Sequence, residues 1–172
     1  MMTETQFIKS VTPSWDDYFM EMLPLVARRS KDPNTKVGAI IVGHDNAIRT
    51  TGYNGLCSFI DDSRPERWSR EGGEKYFWCE HAERNAIYSA ARNGVALKGG
   101  TIYVSFLPCV DCARAIVQVG LKRVVANLDE QERRCAENDQ WQKSFARTLT
   151  HFKEAEIELV WWRKTEESEV AA

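Results

Sequence analysis

An α/β fold, one sheet covered by helices, is predicted by three features of this chain. Apolar runs of strand character alternate with segments of helical period along most of the sequence. The link between the last two apolar runs is about 30 residues and mostly helical, the kind of crossover that parallel neighbours need. Turn chemistry punctuates the segments, as at Lys31-Asp32-Pro33-Asn34, Asn93-Gly94 and Gly120.

Ser14 to Ser30 reads as the first helix, begun by Thr12-Pro13-Ser14, with Phe19, Leu23, Val26 and Ala27 near one face. Pro24 is expected to bend or break it. Val37 to Val42 is a short apolar run ending at Gly43, hence a buried strand. His44-Asp45-Asn46 forms a hairpin tip, and Ala47 to Tyr53 returns antiparallel. Leu56 to Trp78 is charged and without a clean period, and a connection that long inside a compact domain implies a use for it; a short helix is expected around Glu66 to Arg70. Ala82 to Arg92 is helical, with Ala82, Ala86, Ile87, Ala90 and Ala91 on one face. Thr101 to Phe106 is a strand, Val110 to Val119 a helix with Ala113, Ile116 and Val117 inward, and Arg123 to Ala126 another strand. Asp129 to Glu154 is polar and helical, and Ile157 to Trp162 is the last strand. The order is α, a β-hairpin, then α-β-α-β-α-β, with the last two strands parallel. The reading is one domain over 1–172, its core about 14–162 and a charged tail over 163–172.

The net charge is −2, from 23 basic and 25 acidic residues, which argues against a nucleic-acid binder. No apolar run reaches the roughly 18–20 residues that span a bilayer, and Met1 to Ser10 lacks the apolar core of a secretion signal. A cytoplasmic location is the expectation. Of five cysteines, an odd three remain once Cys109 and Cys112 are set aside, unlike a disulfide framework.

The chemistry lies in His81-Ala82-Glu83 and Pro108-Cys109-Val110-Asp111-Cys112. Cysteines three apart at a helix start share a face, so both sulfurs can meet one metal. The helix start favours thiolate over thiol, and Pro108 costs little there. With His81 at the start of the other helix, three ligands hold a tetrahedral zinc and leave one corner for water, the mark of a catalytic site. Glu83, two residues from His81, is placed to move protons. Taken alone it is also what a helix start favours. A closed site is the competing reading: Cys79 as fourth ligand gives Cys3His and no catalysis. A second metal held by Cys57 and Cys79 with His44 or His151 lacks any close-spaced ligand pair.

On these residues the sequence resembles the deoxycytidylate (dCMP) deaminase family of the cytidine-deaminase superfamily, whose zinc signature is H-x-E…P-C-x-x-C. Arg29-Ser30-Lys31-Asp32-Pro33, Val37-Gly38-Ala39, Gly52-Tyr53-Asn54-Gly55, Asn85-Ala86-Ile87 and Ile116-Val117-Gln118-Val119-Gly120 follow the family's order over about residues 14–128. The resemblance implies a three-layer α/β/α cytidine deaminase-like fold with a five-stranded mixed sheet. It implies one catalytic Zn2+ on His81, Cys109 and Cys112, with Glu83 as the catalytic proton carrier. Asn54 is expected to contact base or sugar, the backbone around Val37 to Ala39 to edge the base, and residues of the Arg29 to Asp32 stretch, Arg29 and Lys31 among them, to hold the 5′-phosphate. A homo-oligomer, hexamer or dimer, is implied, with dCTP and dTTP control and Mg2+ beside a regulatory nucleotide. The chain departs from the family at Cys57, where a proline is common, and at Trp78-Cys79-Glu80.

The activity so implied is hydrolysis of dCMP to dUMP and ammonia. Three readings compete: an editing deaminase acting on tRNA or single-stranded DNA, which needs a positive groove and stacking aromatics; a deaminase of a modified cytosine nucleotide or another small heterocycle, such as a riboflavin precursor; and a noncatalytic module that keeps zinc for folding.

Overall fold

The computed structural model describes residues 12–137 and 139–164. The charged tail expected over 163–172 falls, from 165 on, outside the described residues. Helix α1 spans Trp15–Ala27, capped by Ser14, whose hydroxyl accepts the Asp17 N–H at 3.1 Å. Asp16 and Asp17 suit the positive end of its dipole. The helix runs through Pro24 unbroken and stops soon after it, at Ala27.

The main sheet has five strands: β1 Gly38–Val42, β2 Ile48–Tyr53, β5 Thr101–Val104, β6 Arg123–Asn127 and β7 Glu158–Trp162, in the order β2-β1-β5-β6-β7. Strand β1 pairs antiparallel with β2 and β5, while β5–β6 and β6–β7 are parallel. The expected mixed sheet and parallel last pair are present. A separate two-residue ladder joins β3 (Gly55–Leu56) to β4 (Cys79–Glu80), too short for any sequence period to announce.

Side chains alternate across the pleat and build a core on each face. On one face Ile40, Val42, Tyr103 and Val125 meet Phe19, Met20 and Leu23 of α1. On the other, Ala39, Ile41, Ile102, Val104, Val124 and Ala126 meet three helices: α3 (Ala82–Arg92), α4 (Val110–Gln118) and α6 (Asp139–Glu154). Strand β1 is buried along its whole length, as a near-continuous apolar run requires. Helix α5 (Leu128–Glu137) precedes α6.

The 56–78 segment holds two 3-10 turns, Pro65–Trp68 and Glu71–Gly73, and the one-turn helix α2, Lys75–Trp78. Trp68 anchors it: the ring is buried and its Nε1 donates to the Asp62 carbonyl at 3.0 Å. The short helix expected at Glu66 to Arg70 is thus a 3-10 turn that Pro65 begins.

Gly52 sets the distance between β2 and α3. A Cβ there would lie 2.2 Å from the Ala82 carbonyl oxygen and 2.4 Å from the Ala86 nitrogen. Only glycine lets the start of α3, and so His81, sit this close to the sheet.

Candidate active site

His81 caps the start of α3 in extended conformation, and Cys109 does the same for α4. Cys112 follows in the first turn of α4, on the face that looks back to Cys109. The two helix starts bring the three side chains together. The His81 Nδ1 lies 3.4 Å from the Cys109 Sγ and 3.5 Å from the Cys112 Sγ. All three ligand atoms lie within 4.8 Å of one another.

A tetrahedral zinc with the usual zinc–nitrogen and zinc–sulfur bonds sets those atoms about 3.6 Å apart, so the spacing fits zinc. Among the described residues this is the one group of three or more metal-ligating side chains, and Cys79 is outside it. The thiols are also primed. A hydrogen bond from Cys112, joined by His81, pulls the Cys109 thiol down to about 3. Cys112, the donor in that bond and deeply buried, is pushed well above the ordinary range. Zinc takes both sulfurs as thiolates, so its binding releases whatever thiol protons remain.

Glu83 is 4 % exposed, at the cavity wall beside His81 and Cys109. Burial pushes its carboxyl above the usual range, although His81 opposes the shift. A raised carboxyl holds a proton more readily than an ordinary one, which suits a group that takes protons up and passes them on.

The cysteine loop is braced from the C-terminal helices. The Leu107 N–H donates to the Gln131 Oε1 at 3.0 Å and the Val110 N–H to the Ser144 Oγ at 3.0 Å. The Thr148 hydroxyl, fully buried, donates to the Pro108 carbonyl at 2.9 Å. These groups orient the loop that carries two ligands, as outer partners of metal sites do.

A cavity of about 170 Å3 opens over His81, Glu83 and Cys109. Val37 and Phe106 give it apolar walls, and Arg70, Lys75, Arg134 and Trp141 complete it. Asn54 borders the cavity, but its amide is committed: it donates to Asp32 at 2.9 Å and to the Thr35 carbonyl at 2.8 Å, and accepts the Val37 N–H at 2.8 Å. It works as a strut between the turn after α1 and the start of β1.

Three residues expected at the substrate lie elsewhere. Of the Val37 to Ala39 stretch, Val37 lies at the cavity wall, while Ala39 is wholly buried in mid-sheet, between Gly52 and Val104. Arg29 and Lys31 are exposed on the turn after α1, off the cavity wall, and Lys31 is paired to Asp62 at 2.5 Å. The cations at the cavity are Arg70, Lys75 and Arg134. They sit on an irregular segment, a one-turn helix and a polar helix, where no period signals which side faces inward.

Residues 13–128 match the family of the cytidine and deoxycytidylate deaminase zinc-binding region. The chain is 44 % identical over 121 residues to the human deoxycytidylate deaminase, a match covering 67 % of this chain and 66 % of that one. It thus spans just under two thirds of that relative's length. An uncharacterized deaminase of the luxG 3′ region in Aliivibrio fischeri is 34 % identical over 152 residues, covering 86 % of this chain and 92 % of that one. The crystal structure of a dCMP deaminase from the cyanophage S-TIM5, in complex with dCMP and dUMP, shares the fold at a TM-score of 0.67 and 22 % identity, over 89 % of this chain and 98 % of that one. Among the described residues no helix is long and apolar enough to cross a membrane.

Proposed function

Because this chain belongs to the cytidine and deoxycytidylate deaminase zinc-binding family, we propose that it hydrolyses dCMP to dUMP and ammonia, with residues 14–162 as one deaminase domain. The observation that carries the reading is the His81–Cys109–Cys112 cluster with a buried carboxyl beside it, at one cavity. The likeness to the human deoxycytidylate deaminase supports a cytosine deoxynucleotide as substrate.

His81, Cys109 and Cys112 hold the metal, and when bound there zinc supplies Lewis-acid activation of a water molecule. Glu83 takes the proton that the attacking water gives up. It passes that proton to the ring nitrogen next to the amine-bearing carbon, then carries a second, from the hydroxyl newly bonded to that carbon, to the departing amine. Val37 and Phe106 flank the base and exclude bulk water. The Asp32–Asn54 strut keeps the wall that carries Val37 in place. The bracing by Gln131, Ser144 and Thr148 holds the Pro108 loop still while charge changes at the centre.

The test is direct. Zinc-loaded protein is mixed with dCMP, and ammonia release is followed with the loss of cytosine absorbance. Stoichiometric dUMP and ammonia are expected. A zinc-replete, folded protein that leaves dCMP and deoxycytidine untouched contradicts the reading.

A further inference from the structure

A second hollow, of about 590 Å3, adjoins the cavity over the metal ligands. The two share Thr35, Arg70, Arg134 and Trp141 in their walls. The outer hollow is strongly polar and differs in charge from the protein as a whole. Among the described residues, Lys36, Arg70, Arg133 and Arg134 line it with one carboxylate, Glu130, in a chain whose net charge is −2. That carboxylate lies 2.7 Å from each of Arg133 and Arg134, so Arg134 shares it with a second guanidinium.

Two of the cations are held in place. The Arg134 guanidinium lies 3.9 Å over the Phe106 ring, while its Nε bonds Glu130. The Arg70 guanidinium donates to the Thr35 hydroxyl at 3.0 Å, and among the described residues no carboxylate pairs with it. Pre-oriented guanidiniums at the junction of an apolar base cavity and a wide basic hollow suit a ligand with a flat head and an anionic, phosphate-bearing tail. The hollow is far larger than one phosphate group needs. A long polyanion calls for an extended groove instead, and the cations here are gathered in one place.

We infer that the outer hollow is a polyphosphate subsite, with Arg70 and Arg134 gripping the tail where it leaves the base cavity, so that cytosine deoxynucleoside 5′-di- and triphosphates are deaminated as well as the monophosphate. This rests on the deaminase reading above and extends it to the substrate's tail. The reaction at the base is unchanged: water adds at the amine-bearing carbon, its bond to nitrogen breaks, ammonia leaves, and dCTP becomes dUTP with its phosphates intact.

The experiment measures kcat and KM for deoxycytidine, dCMP, dCDP and dCTP by direct detection of each uracil product, with the zinc-loaded wild type and the Arg70→Gln, Arg134→Gln and Arg134→Lys variants. Wild type is expected to turn over dCDP and dCTP with a KM at or below that for dCMP. Each Gln variant is expected to raise KM for dCDP and dCTP about 10- to 100-fold, well beyond any change it makes in the deoxycytidine reaction. Arg134→Lys keeps the charge without the fork and should recover part of the loss. Turnover of dCMP alone, with dCDP and dCTP refused, overturns the inference. So does a Gln variant that slows deoxycytidine and dCTP alike, or single-stranded oligonucleotides that outcompete every free nucleotide. If no cytosine compound is deaminated, the underlying deaminase reading fails instead.

Discussion

Asp32 and Lys75 form an ion pair inside the wall of the active-site cavity, the Asp32 side chain fully buried and that of Lys75 10 % exposed. The pair joins two distant stretches, the turn after α1 and the one-turn helix α2. Around it, Asp32 accepts from Asn54 and from the backbone N–H groups of Asn34 and Thr35 at 2.9 and 3.2 Å. Burial alone pushes the Asp32 carboxyl up, but Lys75 and the two backbone donors outweigh it and hold the carboxyl below its ordinary value. No buried side-chain nitrogen or oxygen among the described residues lacks a partner, so the network is complete.

Removing the cation alone tests this pair. Lys75→Met leaves a buried carboxylate without its counter-charge, and a loss of about 3–5 kcal/mol is expected at pH 7. The pH dependence has a definite sign. With its folded pKa below the unfolded one, wild-type Asp32 contributes stability above about pH 4, and loses it as pH falls through the folded value. In Lys75→Met the lone carboxylate is the liability, so the deficit shrinks once acid neutralises it. Urea midpoints at pH 7 and pH 4 read this. An equal deficit at both removes the ion pair from the account.

Asp16 ties α1 to the sheet in the same manner. Arg123 grips its carboxylate with two hydrogen bonds, at 2.8 and 2.7 Å, and the Tyr103 hydroxyl adds a third at 2.9 Å. The Arg123 hydrogen bonds outweigh burial and hold the Asp16 carboxyl below its usual value. Asp16→Asn is expected to cost about 1–3 kcal/mol at pH 7 by denaturant titration. The wild type's advantage should be full above about pH 4 and fade as pH drops through the folded Asp16 value.

Gly52→Ala tests the seating of α3. The new Cβ collides with helix backbone, not with a side chain that can swing away. Helix α3 must shift and carry His81 with it. Overpacking of this kind costs about 1–3 kcal/mol, and zinc affinity should fall in parallel. Melting temperature and zinc content of the purified variant check both; unchanged zinc affinity separates the strand contact from the metal site.

Much of this was legible before any coordinates. Helix α3 showed itself because Ala82, Ala86, Ile87 and Ala90 recur at helical period, and those residues are buried. The metal cluster was legible because its spacings are local: Cys109 and Cys112 share one turn, and Glu83 stands two residues from His81. The cavity wall was not. Arg70, Lys75 and Arg134 lie where no periodicity ranks one face over another, and only tertiary packing turns them inward. Arg29 and Lys31 drew the phosphate expectation by their nearness to a family block, yet the turn they occupy faces solvent and Asp62. Of the Val37 to Ala39 stretch, Val37 reaches the cavity and Ala39 does not, because Ala39 lies in a strand paired on both edges and covered on both faces.

Glu83→Gln isolates the proton carrier. It keeps the side-chain volume and the burial and removes the titrating group. Zinc content should remain one per chain, while dCMP turnover falls by about 10²–10⁴-fold. Retained turnover in a zinc-replete variant takes Glu83 out of the chemistry.

The central claim is a zinc held by three side chains with its fourth position free for water. X-ray absorption of the zinc-loaded protein measures that coordination directly. Two sulfurs, one imidazole nitrogen and one further light-atom ligand are predicted, the light atom being exchangeable solvent. A third sulfur in the shell, lost in Cys79→Ser, closes the site and contradicts the account.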